Sequence, residues 1–194
     1  MADEATIYLI RHAEKPFTDS KNVNYNGVDD TGSADPESVI PRGWRRAGAW
    51  AVFFGSSGGL PSPARIYAAD DEKEKLARDD KVGSHSQRPL ETVSELALTV
   101  LGAVPDTSFT KGEEQALVDQ IIPFAGVTLV CWQHEAIPDI ALLLIPGGPI
   151  PSPWPGDRFD VVWRFRRAAG ATQWAFDQVC PKLLSGDSAE PIAS

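Results

Sequence analysis

The chain has 194 residues, of which 42% are hydrophobic, and both values are typical of a single globular domain rather than a disordered chain. Its formal net charge of −9 disfavours nucleic acid and anionic membrane surfaces as partners, because both carry negative charge themselves. The only two cysteines, Cys131 and Cys180, are too few for a disulfide framework and predict a reducing, cytoplasmic location.

Short apolar strands alternate with helical patterns through the first three quarters of the chain. Along the chain, the predicted strands are residues 7–10, 64–69, 106–109 and 127–132, and the predicted helices are residues 42–54, 89–100, 113–122 and 136–145. This alternation predicts a three-layer α/β/α fold with a mostly parallel central sheet. Two further strands around an Ala-Ala-Gly turn, residues 159–167 and 171–179, predict a C-terminal β-hairpin at one edge of the sheet.

Long connections separate some of these elements. A polar loop is expected over residues 13–41, a charged, solvated connection over residues 70–87, and a stiff proline-rich loop over residues 146–157. We expect one domain over residues 1–184, followed by a frayed tail over residues 185–194 that is rich in small and polar residues. The N-terminus shows no signal-peptide pattern, and no apolar run approaches the ~20 residues of a membrane span.

Chemically active side chains fall at the corners where predicted strands give way to helices. Arg11 and His12 follow the first strand, Arg88 directly precedes a helix, and His134 follows the strand at 127–132. Ligands of such sheets bind at the carboxyl ends of the strands, where helix N-termini supply backbone N–H groups suited to phosphate. Two arginines can hold phosphate oxygens, and a neutral histidine can attack phosphorus. The set therefore predicts a phosphate pocket.

A carboxylic acid is also needed to protonate the oxygen of the leaving group. Glu113 is the first candidate, because it follows a glycine at a strand-to-helix corner, and Glu114 is the second. Glu135, next to His134, is the third candidate. Acidic residues at a helix start are also common caps, so a structural role for Glu113 and Glu114 is an equal alternative. The remaining histidine, His85, is expected to be a solvated loop residue.

The stretches LIRHAEKP, SQRPLETV and WQHEAIPDI, in this order, resemble the histidine phosphatase superfamily, also called the phosphoglycerate mutase-like family. The resemblance covers nearly the whole chain, including PRGWRRAGAWAVFF and WPGDRFDVVW, which are similar to small bacterial and fungal members of unassigned substrate. It implies that His12 is the residue that becomes phosphorylated and that Arg11, Arg88 and His134 bind the phosphoryl group. Ala13 departs from the family's mutases, which usually have glycine after the first histidine.

The resemblance implies a phosphatase that hydrolyses a small phosphorylated substrate through a phosphohistidine. A mutase that returns the phosphoryl group to its product is one alternative. A non-catalytic module that binds a phosphorylated ligand is another, since fold does not fix function. We expect no cofactor and no metal ion, because no His, Asp and Glu residues have the spacing of metal ligands. The oligomeric state has no signature in the sequence.

Overall fold

A five-stranded sheet forms the centre of the protein, seen in a computed structural model that describes residues 3–56, 59–71 and 85–193. In chain order the strands are β1 (Ala5–Arg11), β2 (Phe17–Thr18), β3 (Asn24–Tyr25), β4 (Arg65–Ala68), β5 (Gly126–Trp132), β6 (Val162–Arg167) and β7 (Ala175–Val179). The main sheet has the order β4-β5-β1-β6-β7, while β2 and β3 pair with each other as a separate hairpin. Strands β4, β5 and β1 are parallel, and β6 and β7 continue the sheet antiparallel.

In the described part of the chain, four helices cover the two faces of this sheet: α1 (Pro41–Gly55), α2 (Arg88–Leu101), α3 (Glu114–Ile121) and α4 (Ile137–Leu144). Side chains of α1 and α2, such as Trp50 and Leu96, pack with Tyr8 on one face. Leu117 of α3 and Ile140 of α4 pack on the other face. The predicted three-layer α/β/α arrangement, with a C-terminal hairpin at one edge, is confirmed.

Three of the helices have a proline in their first turn. Pro41, Pro89 and Pro138 occupy N1 or N2 of α1, α2 and α4. The ring of proline fixes φ near its helical value, and the first turn needs no intrahelical bond from the missing N–H. These prolines therefore set where each helix begins, and hence where the strand-to-helix corners lie.

Strand β1 lies in the middle of the sheet and fixes the place of the site. It runs parallel to β5 with Arg11 opposite Trp132 at the carboxyl ends of the two strands. On its other side it pairs antiparallel with β6. Because parallel strands end at the same edge, the residues that follow Arg11 and Trp132 are brought together there.

Residues 106–109, predicted as a strand, form no regular strand. Asp106 pairs with β4 through an isolated bridge to Tyr67, in which its N–H donates to Ile66 at 2.8 Å and its carbonyl accepts from Ala68 at 3.0 Å. The Asp106 side chain then accepts a hydrogen bond from the N–H of Ser108, which closes a local turn. This turn competes with further pairing, and the prediction of a regular strand here is therefore wrong.

The structure describes the first of the two polar connections in full and the second only in part. The loop over residues 13–41 contains the short hairpin of β2 and β3, whose turn is held by Asp19 Oδ1, the acceptor for the N–H groups of Lys21 and Val23. Of the charged connection predicted over residues 70–87, residues 72–84 lie outside the described part of the chain.

The C-terminal tail packs against the domain, in contrast to the fraying expected after residue 184. The side chain of Asp187 is 2% exposed and accepts hydrogen bonds from Arg46, while Ile192 is buried and its carbonyl accepts from Gln178. The N–H of Ser188 donates to Asp160 at 2.7 Å. The composition of the tail does not predict these contacts, because each depends on a partner far away in sequence.

Candidate functional site

His12 stands at the carboxyl end of β1 and is 3% exposed. Its backbone N–H donates to the carbonyl of Trp132 at 3.1 Å, which carries the pairing of β1 and β5 one residue beyond Arg11. Its side-chain Nδ1 lies 2.7 Å from the carbonyl oxygen of Ala13. The imidazole is thus held by the backbone of the turn that follows it.

The environment of His12 favours its neutral form. Burial, followed by the positive charge of Arg11, lowers the pKa of the imidazole to about 3. A carbonyl oxygen can only accept a hydrogen bond, so in the neutral ring Nδ1 carries the hydrogen and Nε2 carries the free lone pair. The ring therefore presents a nucleophilic nitrogen at neutral pH.

Arg11 is fully buried and only partly paired. One of its terminal nitrogens, Nη1, donates to the carbonyls of Pro155, Gly156 and Arg158 at 3.2, 2.8 and 3.2 Å. Its Nε and Nη2 are buried without a hydrogen-bond partner among the described residues. Buried N–H groups of a cation are costly to leave unpaired, so this guanidinium is suited to receive an anion.

The guanidinium of Arg11 lies over the ring of Phe159, with its carbon 3.8 Å from the ring centroid. The centroid of the same ring lies 6.3 Å from that of His12. Burial lowers the pKa of Arg11 to about 10, which still leaves it a cation at neutral pH. The end of the proline-rich loop and the two residues that follow it thus supply the carbonyls and the aromatic ring that hold Arg11.

His134 approaches His12 from the end of β5. The two rings meet edge to face with centroids 6.4 Å apart, so the two predicted histidines do share one site. Nδ1 of His134 lies 2.8 Å from Glu135 Oε2, and Lys111 Nζ donates to the other carboxylate oxygen at 2.6 Å. Glu135, which also binds Lys111, therefore lies against Nδ1 of His134.

Arg88 begins α2, as predicted. Its guanidinium donates to the carbonyls of Pro36 and Ser38 and to the carboxylate of Glu37. Its charge nevertheless lies close enough to lower the pKa of His12. The structure thus brings Arg88 to the same edge as the histidines, with most of its donors directed at the loop over residues 36–38.

Thr92 is a positioning residue that the sequence reasoning missed. Its hydroxyl oxygen accepts a hydrogen bond from the N–H of Ala13 at 2.8 Å and donates to the carbonyl of Arg88 at 2.6 Å. It therefore ties the turn after His12 to the first turn of α2. The sequence does indicate Thr92 in one respect, because it is a hydroxyl residue one helical turn after Arg88 and therefore lies on the same face of the helix.

A buried ion network supports the same turn, and it too was missed. Arg46 of α1 binds Glu14 at 2.8 Å and Asp187 at 2.8 Å, and the side chains of Arg46 and Asp187 are each 2% exposed. Arg42 binds the same two carboxylates from a more exposed position. Burial disfavours the charge of Arg46, but its hydrogen bonds to Asp187 and Glu14 outweigh this and raise its pKa above the ordinary value.

The three candidate acids lie in different surroundings. Glu113 accepts a hydrogen bond from the N–H of Thr110 at 2.9 Å, and Glu114 accepts from Trp132 Nε1 and the N–H of Gly112, both at 2.9 Å. The contact with His134, followed by that with Lys111, holds the pKa of Glu135 well below its usual range. Glu135 is therefore ionised at neutral pH, which suits a positioning role for His134 better than proton donation.

A cavity of about 570 Å³ lies beside this cluster. Its lining includes Lys15, Phe17, Arg42, Arg158 and Phe159, but not His12 or His134. The ring of Phe159 is common to both places, because it also contacts Arg11. The cavity and the histidine pair are thus neighbours separated by one aromatic side chain.

Neither a metal centre nor a membrane span is found in residues 3–56, 59–71 and 85–193. No group of three or more His, Cys, Asp or Glu side chains is arranged there to hold a metal ion. No helix in these ranges is long and apolar enough to cross a membrane.

The comparisons with known proteins bear on the fold. No family model and no curated protein matches the sequence. Among solved structures, the chain is similar to the protein histidine phosphatase SixA complexed with tungstate, with a TM-score of 0.52 and 11% sequence identity. The similarity covers 91% of this chain and 97% of that chain. At this identity it establishes the fold, and it confirms the histidine phosphatase fold that the sequence motifs predicted.

Proposed function

We propose that this protein is a phosphatase of the histidine phosphatase superfamily, acting through a phosphohistidine on His12. The observation that carries the proposal is the pairing of His12 with Arg11. His12 is a neutral imidazole whose Nδ1 is occupied by Ala13, and Arg11 is a buried cation with two unpaired nitrogens. A nucleophilic nitrogen beside unpaired cationic N–H groups is the arrangement that in-line attack on a phosphate requires.

In the first half of the reaction, the Nε2 lone pair of His12 attacks phosphorus. The N–P bond forms while the bond between phosphorus and the leaving oxygen breaks, and that oxygen takes a proton from a carboxylic acid. We keep Glu113 as the first candidate for this acid, because the charge on Glu135 makes it a poor donor. Glu114 is the second candidate.

In the second half, water attacks phosphorus and the N–P bond breaks. The proton of the water passes to the carboxylate left by the first half, and the electron pair of the broken bond returns to Nε2 of His12. Inorganic phosphate then leaves. Each half regenerates what the other consumed, so the enzyme returns to its starting state.

Arg11, Arg88 and His134 are proposed to bind the phosphoryl oxygens in both halves. Positive groups fixed around the equatorial oxygens lower the barrier because charge is concentrated there in the transition state. Glu135, paired with Lys111, lies against Nδ1 of His134, and we propose that Nε2 of His134 is the nitrogen that binds the phosphoryl group.

We propose further that the cavity beside Phe159 receives the leaving group of a small phosphorylated substrate. A volume of about 570 Å³ lies within the range of about 300–1,000 Å³ usual for small-molecule sites. Phe17 and Phe159 offer apolar surface, and Lys15 is an exposed cation at its edge. A cytoplasmic location fits the two free thiols, of which Cys131 is fully buried.

Acid-quench labelling tests the mechanism. Wild-type protein mixed with a ³²P-labelled phosphate ester should yield an acid-labile, base-stable phosphoprotein, as expected for an N–P bond, and His12→Ala should yield none. Loss of a true nucleophile costs several powers of ten in rate, so a variant that keeps more than about one hundredth of the activity would overturn the assignment. Release of inorganic phosphate, rather than a rearranged phosphate ester, separates hydrolysis from mutase chemistry.

A further inference from the structure

Gln133 is a buried side chain for which the mechanism so far has no use. It lies between Trp132, the last residue of β5, and His134, and it is 4% exposed. Neither its amide oxygen nor its amide nitrogen has a hydrogen-bond partner among the described residues. Buried polar groups are nearly always paired, and an unpaired one costs about 1–3 kcal/mol. A buried amide with both ends unpaired therefore points to a ligand.

The pleat of the sheet tells which face Gln133 occupies. Successive side chains of a strand point to opposite faces, so Gln133 lies on the same face as Cys131. Cys131 belongs to the cluster beneath α1 and α2 and contacts the Thr92 hydroxyl. Continued one residue past the end of β5, this alternation places Gln133 on the α1–α2 side of the sheet.

His12 occupies the same face by the same rule, because Tyr8 and Ile10 of β1 pack beneath α1 and α2. The hydrogen bond from the N–H of His12 to Trp132 continues the register of β1 and β5 past their ends. The next pair in that register is His12 and Gln133. The unpaired amide and the imidazole are thus neighbours on adjacent strand ends.

We propose that Gln133 is a further ligand of the phosphoryl group, with its amide N–H donating to a non-bridging oxygen. This inference rests on the proposed function, since it places the phosphoryl group at Nε2 of His12. The amide adds one more donor to those proposed around that position. The unpaired amide lowers the stability of the free protein, but it leaves this donor available to the substrate.

The variant Gln133→Met tests this proposal through two measurements, the melting temperature and the affinity for phosphate. If the amide had a structural role, the variant would lower both. Methionine has a similar volume and no polar group, so removing an unpaired amide should leave the melting temperature unchanged or raise it. The affinity for inorganic phosphate, measured by calorimetry, should fall about tenfold, as expected for one hydrogen bond to a charged group. The value of kcat/KM for p-nitrophenyl phosphate should fall at least as much.

The variant Gln133→Glu provides a second test of the same proposal. It keeps the shape but replaces the donor with a negative charge, so phosphate affinity should fall at least about a hundredfold. Gln173→Glu is the matched control, because it makes the same change of charge at an exposed residue between β6 and β7. It should bind phosphate as the wild type does.

The outcomes separate this inference from the function on which it rests. If wild-type protein bound no phosphate, the proposed function and this inference would both be wrong. If the wild type bound phosphate and Gln133→Met bound it equally well, only the role of Gln133 would be wrong. A marked loss of stability in Gln133→Met would also contradict the inference, because it would show that the amide supports the fold.

Discussion

His12 Nδ1 and the carbonyl oxygen of Ala13 lie 2.7 Å apart, a hydrogen bond within one turn of backbone. Since the carbonyl can only accept, this contact leaves Nε2 as the nitrogen with a free lone pair. The N–H of Ala13 is itself held by Thr92 at 2.8 Å. The tautomer and the orientation of the proposed nucleophile are thus fixed by backbone that α2 anchors.

The low pKa of His12 predicts a specific loss of stability in acid. The folded protein binds the proton only near pH 3, whereas an unfolded chain binds it near pH 6.5. Between these values the unfolded state holds more protons, so stability falls as the pH is lowered. From pH 7.5 to pH 5.0, His12 should account for a loss of about 2 kcal/mol.

Urea unfolding of wild type and His12→Asn at both pH values measures this loss. The variant should lose about 2 kcal/mol less than the wild type over the same interval. His85→Asn removes an exposed histidine and should keep the pH dependence of the wild type. Equal pH dependence in wild type and His12→Asn would contradict a buried neutral imidazole at this position.

The identity of the general acid is tested by varying the leaving group. Glu113→Gln should slow the hydrolysis of alkyl phosphates by about a hundredfold or more, because their leaving oxygen needs a proton. Hydrolysis of p-nitrophenyl phosphate should change much less, because its leaving group departs as a stable anion. The measured quantity is the ratio of kcat/KM for the two substrates.

Glu114→Gln and Glu135→Gln are the comparisons for that experiment. Glu135→Gln should slow both substrates to a similar extent, because it removes a charge that positions His134 rather than a proton donor. If Glu113→Gln slowed both substrates equally or neither of them, Glu114 would become the preferred acid.

Gly43 packs against the turn that follows His12, so we expect a side chain at this position to disturb that turn. A Cβ at this position would lie 2.7 Å from the Cβ of Val39 and 3.0 Å from the carbonyl oxygen of Glu14. Gly43→Ala should therefore destabilise the protein by about 1–3 kcal/mol, as overpacking does, and should lower kcat/KM by shifting the turn after His12.

Gly48→Ala is the matched control in the same helix. A Cβ there meets nothing within 4 Å, so alanine should stabilise the protein by about 0.5–1 kcal/mol through its better helix propensity. Chemical unfolding of the two variants gives the comparison. Destabilisation of both variants alike would indicate that α1 tolerates no side chain at either glycine.

The C-terminal tail should contribute to stability through Asp187. Asp187→Asn leaves the buried guanidinium of Arg46 with Glu14 as its remaining buried carboxylate, and loss of one buried charged partner should cost about 1–3 kcal/mol. Asp177→Asn breaks the partly exposed pair with Arg164 and should cost less than about 1 kcal/mol. Similar urea midpoints for the two variants would contradict the ion network described for Arg46.

Much of the fold follows from local sequence alone. The runs at residues 7–10 and 127–132 are apolar enough to be central strands, and each is followed within two residues by a histidine. Pro41, Pro89 and Pro138 mark the starts of three helices. Because strand-to-helix alternation implies a parallel sheet, the sequence determined that His12 and His134 meet at one edge. Their edge-to-face contact agrees with this reasoning.

The tertiary structure decided how each side chain at that edge is paired. Arg11 donates to carbonyls about 145 residues away, and Arg46 binds Asp187 across a separation of 141 residues. No local pattern encodes such partners, because they depend on how distant segments pack after the elements have formed. The same is true of Gln133, whose amide is polar by sequence but is buried without a partner among the described residues only in the folded protein. Local propensity and periodicity fixed the elements, and long-range packing fixed the chemistry of the groups they carry.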